Sequence, residues 1–175
     1  MKEENKMGFD LHGINPVVRK GKIPVEPDDL WKKGASEKKR EKYYDKKWEF
    51  EENNPGSYFR NNCWWWRSLW DYTYNECDDI LTERDWESGH YNDGHAISEK
   101  KAVQIGKRLN EQIESGRAEA YVKSHEQERK EAEEGNEGLK CGDDGYNWAS
   151  SYPLSLENIQ SFAVFCSESG GFDIC

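Results

Sequence analysis

No apolar run in the sequence approaches the ~18 residues that a membrane-spanning helix requires, so no membrane partner is predicted. There is no C-x-x-C pair either, and the cysteines at 63, 77, 141, 166 and 175 are odd in number, which points away from a closed disulfide framework. The chain opens on charged residues in place of an apolar leader. Together these features predict free thiols and a cytoplasmic setting. G-x-S-x-G, a P-loop and a paired metal motif are all missing, so no catalytic residue, cofactor or metal is assigned. Basic charge is also short. With 25 Lys and Arg against 35 Asp and Glu the net charge is −10, which argues against non-specific nucleic-acid binding. No internal repeat is found.

Aliphatic side chains are scarce too. The hydrophobic fraction, 34%, only equals the charged fraction, so part of the chain is expected to be solvated helix. Aromatic residues make up 13% and compensate, which predicts a small, ring-rich core. A length of 175 residues suits one domain spanning 1–175.

The rings concentrate in Tyr58-Phe-Arg-Asn-Asn-Cys-Trp-Trp-Trp-Arg-Ser-Leu-Trp-Asp-Tyr72, which holds four of the eight tryptophans. After the turn signal Asn53-Asn54-Pro55-Gly56 this reads as a loop entering a helix from about Cys63 to about Thr73, with Asn61 or Asn62 as cap. Three consecutive tryptophans sweep roughly 200° of a helix, so one packing face cannot take them all. Trp65, Leu69 and Tyr72, with Trp66 and Trp70 beside them, form the expected core stripe. On another side Arg60, Trp64 and Arg67 fall at i, i+4 and i+7. That spacing sets a ring between two guanidinium groups near a helix N-terminus, an arrangement suited to a nucleotide-like ligand. The alternative is that the arginines pair with Asp71 or nearby carboxylates while Trp64 completes the core.

Elsewhere, alternation at Phe9 and Leu11 predicts a short strand ended by Gly13 and Pro16, with Asp10 and His12 on its other face. Residues 17–30 read as an extended surface loop. Ser36 to about Glu52 reads as a charged helix, capped by Ser36 and carrying Tyr44 and Trp48 on one side. Thr82 starts another helix, with Asp85 completing a near capping box. The loop Ser88-Gly-His-Tyr-Asn-Asp-Gly-His95 brings His90, Asp93 and His95 together in sequence; they suit a metal, a polar ligand contact or a hydrogen-bonded structural loop. Ile97 to Ser115 is a helix capped by Ser98, with Ala102, Ile105, Leu109 and Ile113 as its stripe and Gly116 as its stop. A charged helix follows from Arg117 to about Glu134, then a loop to Tyr146. The last helix starts at Ser155, carries Ile159, Phe162, Ala163 and Cys166, and ends at Gly170-Gly171. Phe172 to Ile174 is expected to pair beside Phe9 to Leu11. The fold class is therefore α+β: a helix-rich single domain with a small β-sheet formed near the N- and C-termini.

Three stretches carry a resemblance: Met7-Gly-Phe-Asp-Leu-His-Gly-Ile-Asn-Pro16; Gly56 to Trp70 with Gly89-His-Tyr-Asn-Asp-Gly94; and Ser169-Gly-Gly-Phe172. They resemble a family of small proteins encoded by bacteriophages and prophages, long described only as hypothetical. The resemblance runs from residue 7 to the C-terminus. It departs at Ser68, where the family usually has proline, and at the zinc-ribbon-like C-x-x-C insert of many members, of which only Cys141 remains. Against the family, residues 17–52 look like a length-variable insertion, where no site is placed.

The resemblance implies a phage origin and the host cell cytoplasm, but no established activity. By analogy of origin, the leading expectation is an anti-defence protein that sequesters a nucleotide-derived signalling molecule. Its ligand-binding residues would be Arg60, Asn61, Asn62, Trp64, Arg67, His90, Tyr91, Asn92 and Asp93, with Asp10 if the first strand borders the tryptophan helix. A small hydrolase is the second reading, with His90 or His95 as base and Asp93 orienting it. The third is a protein–protein inhibitor that turns its aromatic patch on a host defence effector or nuclease. A homo-oligomer is a further partner these residues allow.

Overall fold

The computed structural model describes residues 8–32, 34 and 36–175. It shows an α+β fold in which helices surround one face of a small antiparallel sheet. The sheet order is β2-β1-β4-β3, from β1 (Gly8–Gly13), β2 (Tyr58–Asn62), β3 (His95–Ile97) and β4 (Phe172–Ile174). The two ends of the chain meet as expected, since Leu11 pairs with Ile174 and Gly13 with Phe172. The sheet also takes two internal strands. Residues 58–62 pair along β1 and do not form the expected loop: Phe59 alternates inward beside Leu11 while Arg60 points out beside Asp10. The strand Phe172-Asp-Ile is wedged between β1 and β3, with Phe172 and Ile174 fully buried.

The core lies between this sheet and α2 (Cys63–Glu76), α4 (Glu99–Glu114) and α6 (Leu156–Glu168). Local signals start these helices as read. Asn62 accepts hydrogen bonds from the Trp64 and Trp65 amides, Ser98 from Lys101 and Ser155 from Asn158, and α3 (Glu83–Ser88) has a full capping box between Thr82 and Asp85. The tryptophan stripe forms as expected at four of its five residues and departs only at Trp65. Trp66, Leu69, Trp70, Tyr72 and Thr73 are buried, while Trp65 is only half-buried. Close backbone contact locks the junction of β1, β2 and α6: a Cβ on Gly13 would lie 2.1 Å from the Gly56 carbonyl oxygen, and one on Gly56 would lie 2.3 Å from that of Glu168.

Two further helices contribute less to the core. In α1 (Glu37–Asn53) only Phe50 is buried, Ser36 makes no side-chain cap, and Trp48 is exposed. α5 (Arg117–Gly135) buries Ala118 and Ala132 and packs on the 3-10 turn Trp148–Ser151, where Asn136 donates to the Asn147 carbonyl and the Ser150 hydroxyl. Among the described residues no helix is long and apolar enough to cross a membrane.

Candidate functional site: a groove between two helix N-termini

A groove of about 560 Å³ opens where β1 begins, β2 turns into α2 and α6 starts. Its lining includes Arg60, Asn61, Asn62 and Trp65 from one side and Ser155, Glu157 and Asn158 from the other. Asn62 and Ser155 are the N-caps of α2 and α6, so the positive ends of two helix dipoles converge on one opening. Arg60 is exposed at the rim. Its Nε lies 3.5 Å from the Asp10 carboxylate, a solvent-screened pair that leaves other guanidinium donors available. A Cβ on Gly8 would come within 3.3 Å of that guanidinium, so the glycine leaves room for it. Asn61 donates to the Asn158 side-chain oxygen at 3.1 Å and closes the floor. Glu157 lines the same groove, so its carboxylate offsets part of the positive potential there.

The expected Arg60–Trp64–Arg67 sandwich does not form. Residue 60 is in a strand, where side chains alternate, so helical i, i+4 spacing does not apply to it. Trp64 lies on a different flank of α2 from Trp65. Its ring is 38% exposed, lies parallel to Trp148 at 6.2 Å and 9°, and meets Tyr152 at 5.4 Å. Arg67 donates to the Tyr152 hydroxyl at 3.4 Å on the same flank. Trp64 and Arg67 therefore belong to a surface patch, away from the groove. Trp65 is the ring that lines it.

No protein-family model, curated protein or solved structure matches the chain.

The glycine-rich loop separates its residues as well. His90 is held by α3 and α2: its Nδ1 lies 2.9 Å from the Trp86 carbonyl and its Nε2 lies 3.1 Å from Asp71. Asp71 also accepts from the Trp86 indole at 2.8 Å. His95 points to Asp85 at 3.0 Å, and Asp93 is exposed. Thus His90, Asp93 and His95 do not converge, and the described residues contain no cluster of three or more His, Cys, Asp or Glu that could hold a metal. Asn92 does reach the groove region, donating to the Gly8 carbonyl at 2.9 Å, while Tyr91 is 64% exposed. Asp10 sits on the outer sheet face between Arg60 and the Tyr58 hydroxyl; burial and that bond push the Tyr58 phenol up to about 12. Of the ten expected ligand residues, Arg60, Asn61 and Asn62 form the groove together, and Asn92 and Asp10 touch its edge.

His90 has both ring nitrogens against acceptors, which only the imidazolium satisfies. The hydrogen bond to Asp71 raises its pKa above the ordinary 6.5, outweighing the burial that lowers it. Burial raises the Asp71 carboxyl, but the bonds from His90 and Trp86 outweigh it and hold the carboxyl low. A folded-state pKa raised in this way stabilises the protein fully below about pH 6.5, and the contribution is lost as pH rises through the folded value. The urea midpoint is therefore expected to fall between about pH 6 and pH 8, and His90→Gln to flatten that slope. An unchanged slope in the variant would show that the ring is neutral.

Proposed function

We propose that the chain binds a small nucleotide-like anion in the groove between α2 and α6, and that its role is to sequester such a molecule as a phage-encoded anti-defence protein. The observation that carries the chemical half is the convergence of two helix N-termini and the Arg60 guanidinium on one opening, with the Trp65 ring beside them. Backbone dipoles and a forked cation favour phosphate, and an indole face favours a base. Resemblance to small phage proteins supports the biological half. The binding residues in this reading are Arg60, Asn61, Asn62, Trp65, Ser155 and Asn158; Trp64 and Arg67 are outside it.

The hydrolase reading is weaker. His90 and His95 are each engaged with a structural carboxylate, and Asp93 orients neither. The inhibitor reading keeps one specific support, the exposed patch of Trp64, Trp148 and Tyr152 with Arg67, since rings and arginine are favoured interface anchors.

Isothermal titration with cyclic nucleotides and cyclic ADP-ribose-type molecules tests the proposal. Saturable binding is expected for the native chain, weakened about tenfold or more by Arg60→Ala, and unaffected by Trp64→Ala. No heat from any of these ligands with folded protein would refute it. Capture of a stoichiometric host protein that Trp64→Ala abolishes would favour the inhibitor.

A further inference from the structure

The chain's charge is unevenly placed. Residues 17–53 hold 11 of the 25 Lys and Arg against nine Asp and Glu, a net of +2, while the rest of the chain carries −12. Within that segment, residues 20–27 run alongside α1 without helix or strand, and the two enclose a second groove of about 540 Å³. It is built at both ends. Fully buried Asn54 accepts from the Arg19 and Lys20 amides and donates to the Lys20 and Phe50 carbonyls, fixing the start of the segment to the end of α1. At the other end Lys39 pairs with Asp29, next to Leu30, which is fully buried.

The lining has two characters. Lys20, Lys22, Lys39, Lys42 and Lys46 supply five ammonium groups, with Glu49 the one acid among the described lining residues. Lys22, Lys42 and Lys46 make no ion pair among the described residues. Between them lie Pro24, Tyr43 and Phe50, with Ile23 and Val25 left 60% and 86% exposed. Open aliphatic side chains inside a lysine rim are costly for a surface whose only neighbour is water. In a sequence so poor in aliphatics they are better explained by an occupant.

We propose that this groove is a docking site for an acidic peptide segment of a partner protein that carries apolar side chains between its carboxylates. Charge complementarity sets the sign: four lysines besides the Asp29-paired Lys39, facing one glutamate in a chain of net charge −10, favour an anionic occupant. The apolar floor sets the class. A free polyanion offers nothing to Ile23, Val25 and Pro24, whereas alternate side chains of an extended peptide can face the floor and the rim in turn. Between Gly21 and Glu26 no backbone hydrogen bond is made among the described residues, so that segment has main-chain groups to share. Single-stranded nucleic acid fits less well, because it needs rings to stack on inside the basic channel. Of the two rings in the groove, Phe50 is buried and Tyr43 is half-buried against Tyr44, so neither presents an open face; the exposed rings of this segment lie elsewhere. At about 100° per residue, Tyr44 and Trp48 lie on the opposite side of α1 from Lys39, Lys42 and Lys46, and they pack on one another and on Trp31.

Fluorescence anisotropy with a short labelled peptide in which aspartate alternates with leucine tests the site on the full chain. Saturable binding is expected, about tenfold or more weaker for the double variant Lys42→Glu with Lys46→Glu, and about tenfold weaker for a peptide in which serine replaces leucine. Both lysines are exposed, so the variant's circular dichroism and urea midpoint should match the native protein and separate lost docking from lost folding. The two grooves share no lining residue, so binding of a nucleotide-like ligand is expected to persist in the variant. Absence of peptide binding, equal affinity in the double variant, equal affinity for the serine peptide, or tighter binding of oligothymidine than of the leucine peptide would each overturn the proposal.

Discussion

Replacing Trp66 by alanine is expected to destabilise the fold by about 3–5 kcal/mol, a large share of what a domain of this size has. The ring is fully buried and stacked on both sides, on Phe9 at 5.6 Å and on Trp70 at 5.2 Å, with the edge of Phe162 5.6 Å away. Its indole N–H donates to the Gly89 carbonyl at 2.7 Å, so alanine would leave both a cavity and an orphaned acceptor. It joins β1, α2, α6 and the glycine loop at one point. Trp64→Ala, two residues earlier, removes a ring that is 38% exposed and is expected to cost no more than about 1 kcal/mol. Urea denaturation followed by circular dichroism checks both, and similar losses for the two would show that the division between core ring and surface ring is wrong.

Asp85→Asn is expected to be the second most damaging change, costing about 3 kcal/mol near pH 7, because it breaks a buried charge cluster on one side only. The residue is 5% exposed. Its carboxylate accepts from the Thr82 amide at 2.8 Å and the Thr82 hydroxyl at 2.7 Å, and it binds Lys101 and His95. Burial alone would raise the carboxyl pKa, but the bonds from Lys101, Thr82 and His95 outweigh it and hold the carboxyl far below the usual carboxylate range. A depressed folded-state pKa stabilises the protein above the unfolded value, about 3.9, and that contribution is lost as pH falls toward the folded one. Native protein should therefore lose stability steeply on acidification below about pH 4, and Asp85→Asn should show a shallower acid limb from a lower starting point. A variant as stable as the native chain at neutral pH would mean that the cluster is held together by its neighbours and not by this carboxylate.

Asp85 also illustrates how far local signals reach. Thr82 followed by Asp85 announces a capping box, and the box is there. That the same carboxylate ties α3 to β3 through His95 and to α4 through Lys101 is invisible in a window of four residues, because both partners come from elements whose position depends on sheet pairing. The glycine loop shows the converse. His90, Asp93 and His95 are neighbours in sequence, yet α2 claims one histidine through Asp71 and α3 claims the other through Asp85. Proximity along the chain carried no information about convergence in space.

The candidate groove was half legible. Arg60, Asn61 and Asn62 stand out because a basic residue and two cap formers precede a tryptophan run. Extending helical spacing back to Arg60, in the segment read as a loop before the helix, is the step that fails, and its physical source is β-pairing: Tyr58 to Asn62 have a weak strand signal alone, and β1 supplies the partner that makes them a strand. Ser155 reads as a helix start, but nothing in its neighbours says that it lines the same groove as Asn62. The lysine groove of residues 20–53 is not legible at all, because the helix reads as a solvated charged face and the proline-rich segment before it as a surface loop.

What the sequence decided alone is the set of elements whose cause is local. Helix starts at Asn62, Thr82, Ser98 and Ser155, the stop at Gly116 and the apolar alternation of Phe9 and Leu11 follow from hydrogen bonds and sterics within a few residues. Tertiary structure decided everything that needed two distant segments at once: the pairing of residues 58–62 with β1, the choice of Trp66 over Trp65 for the core, and both grooves. The reason is that burial and charge pairing depend on which surfaces meet, and three adjacent tryptophans of equal hydrophobicity can be told apart only by what packs against each of them.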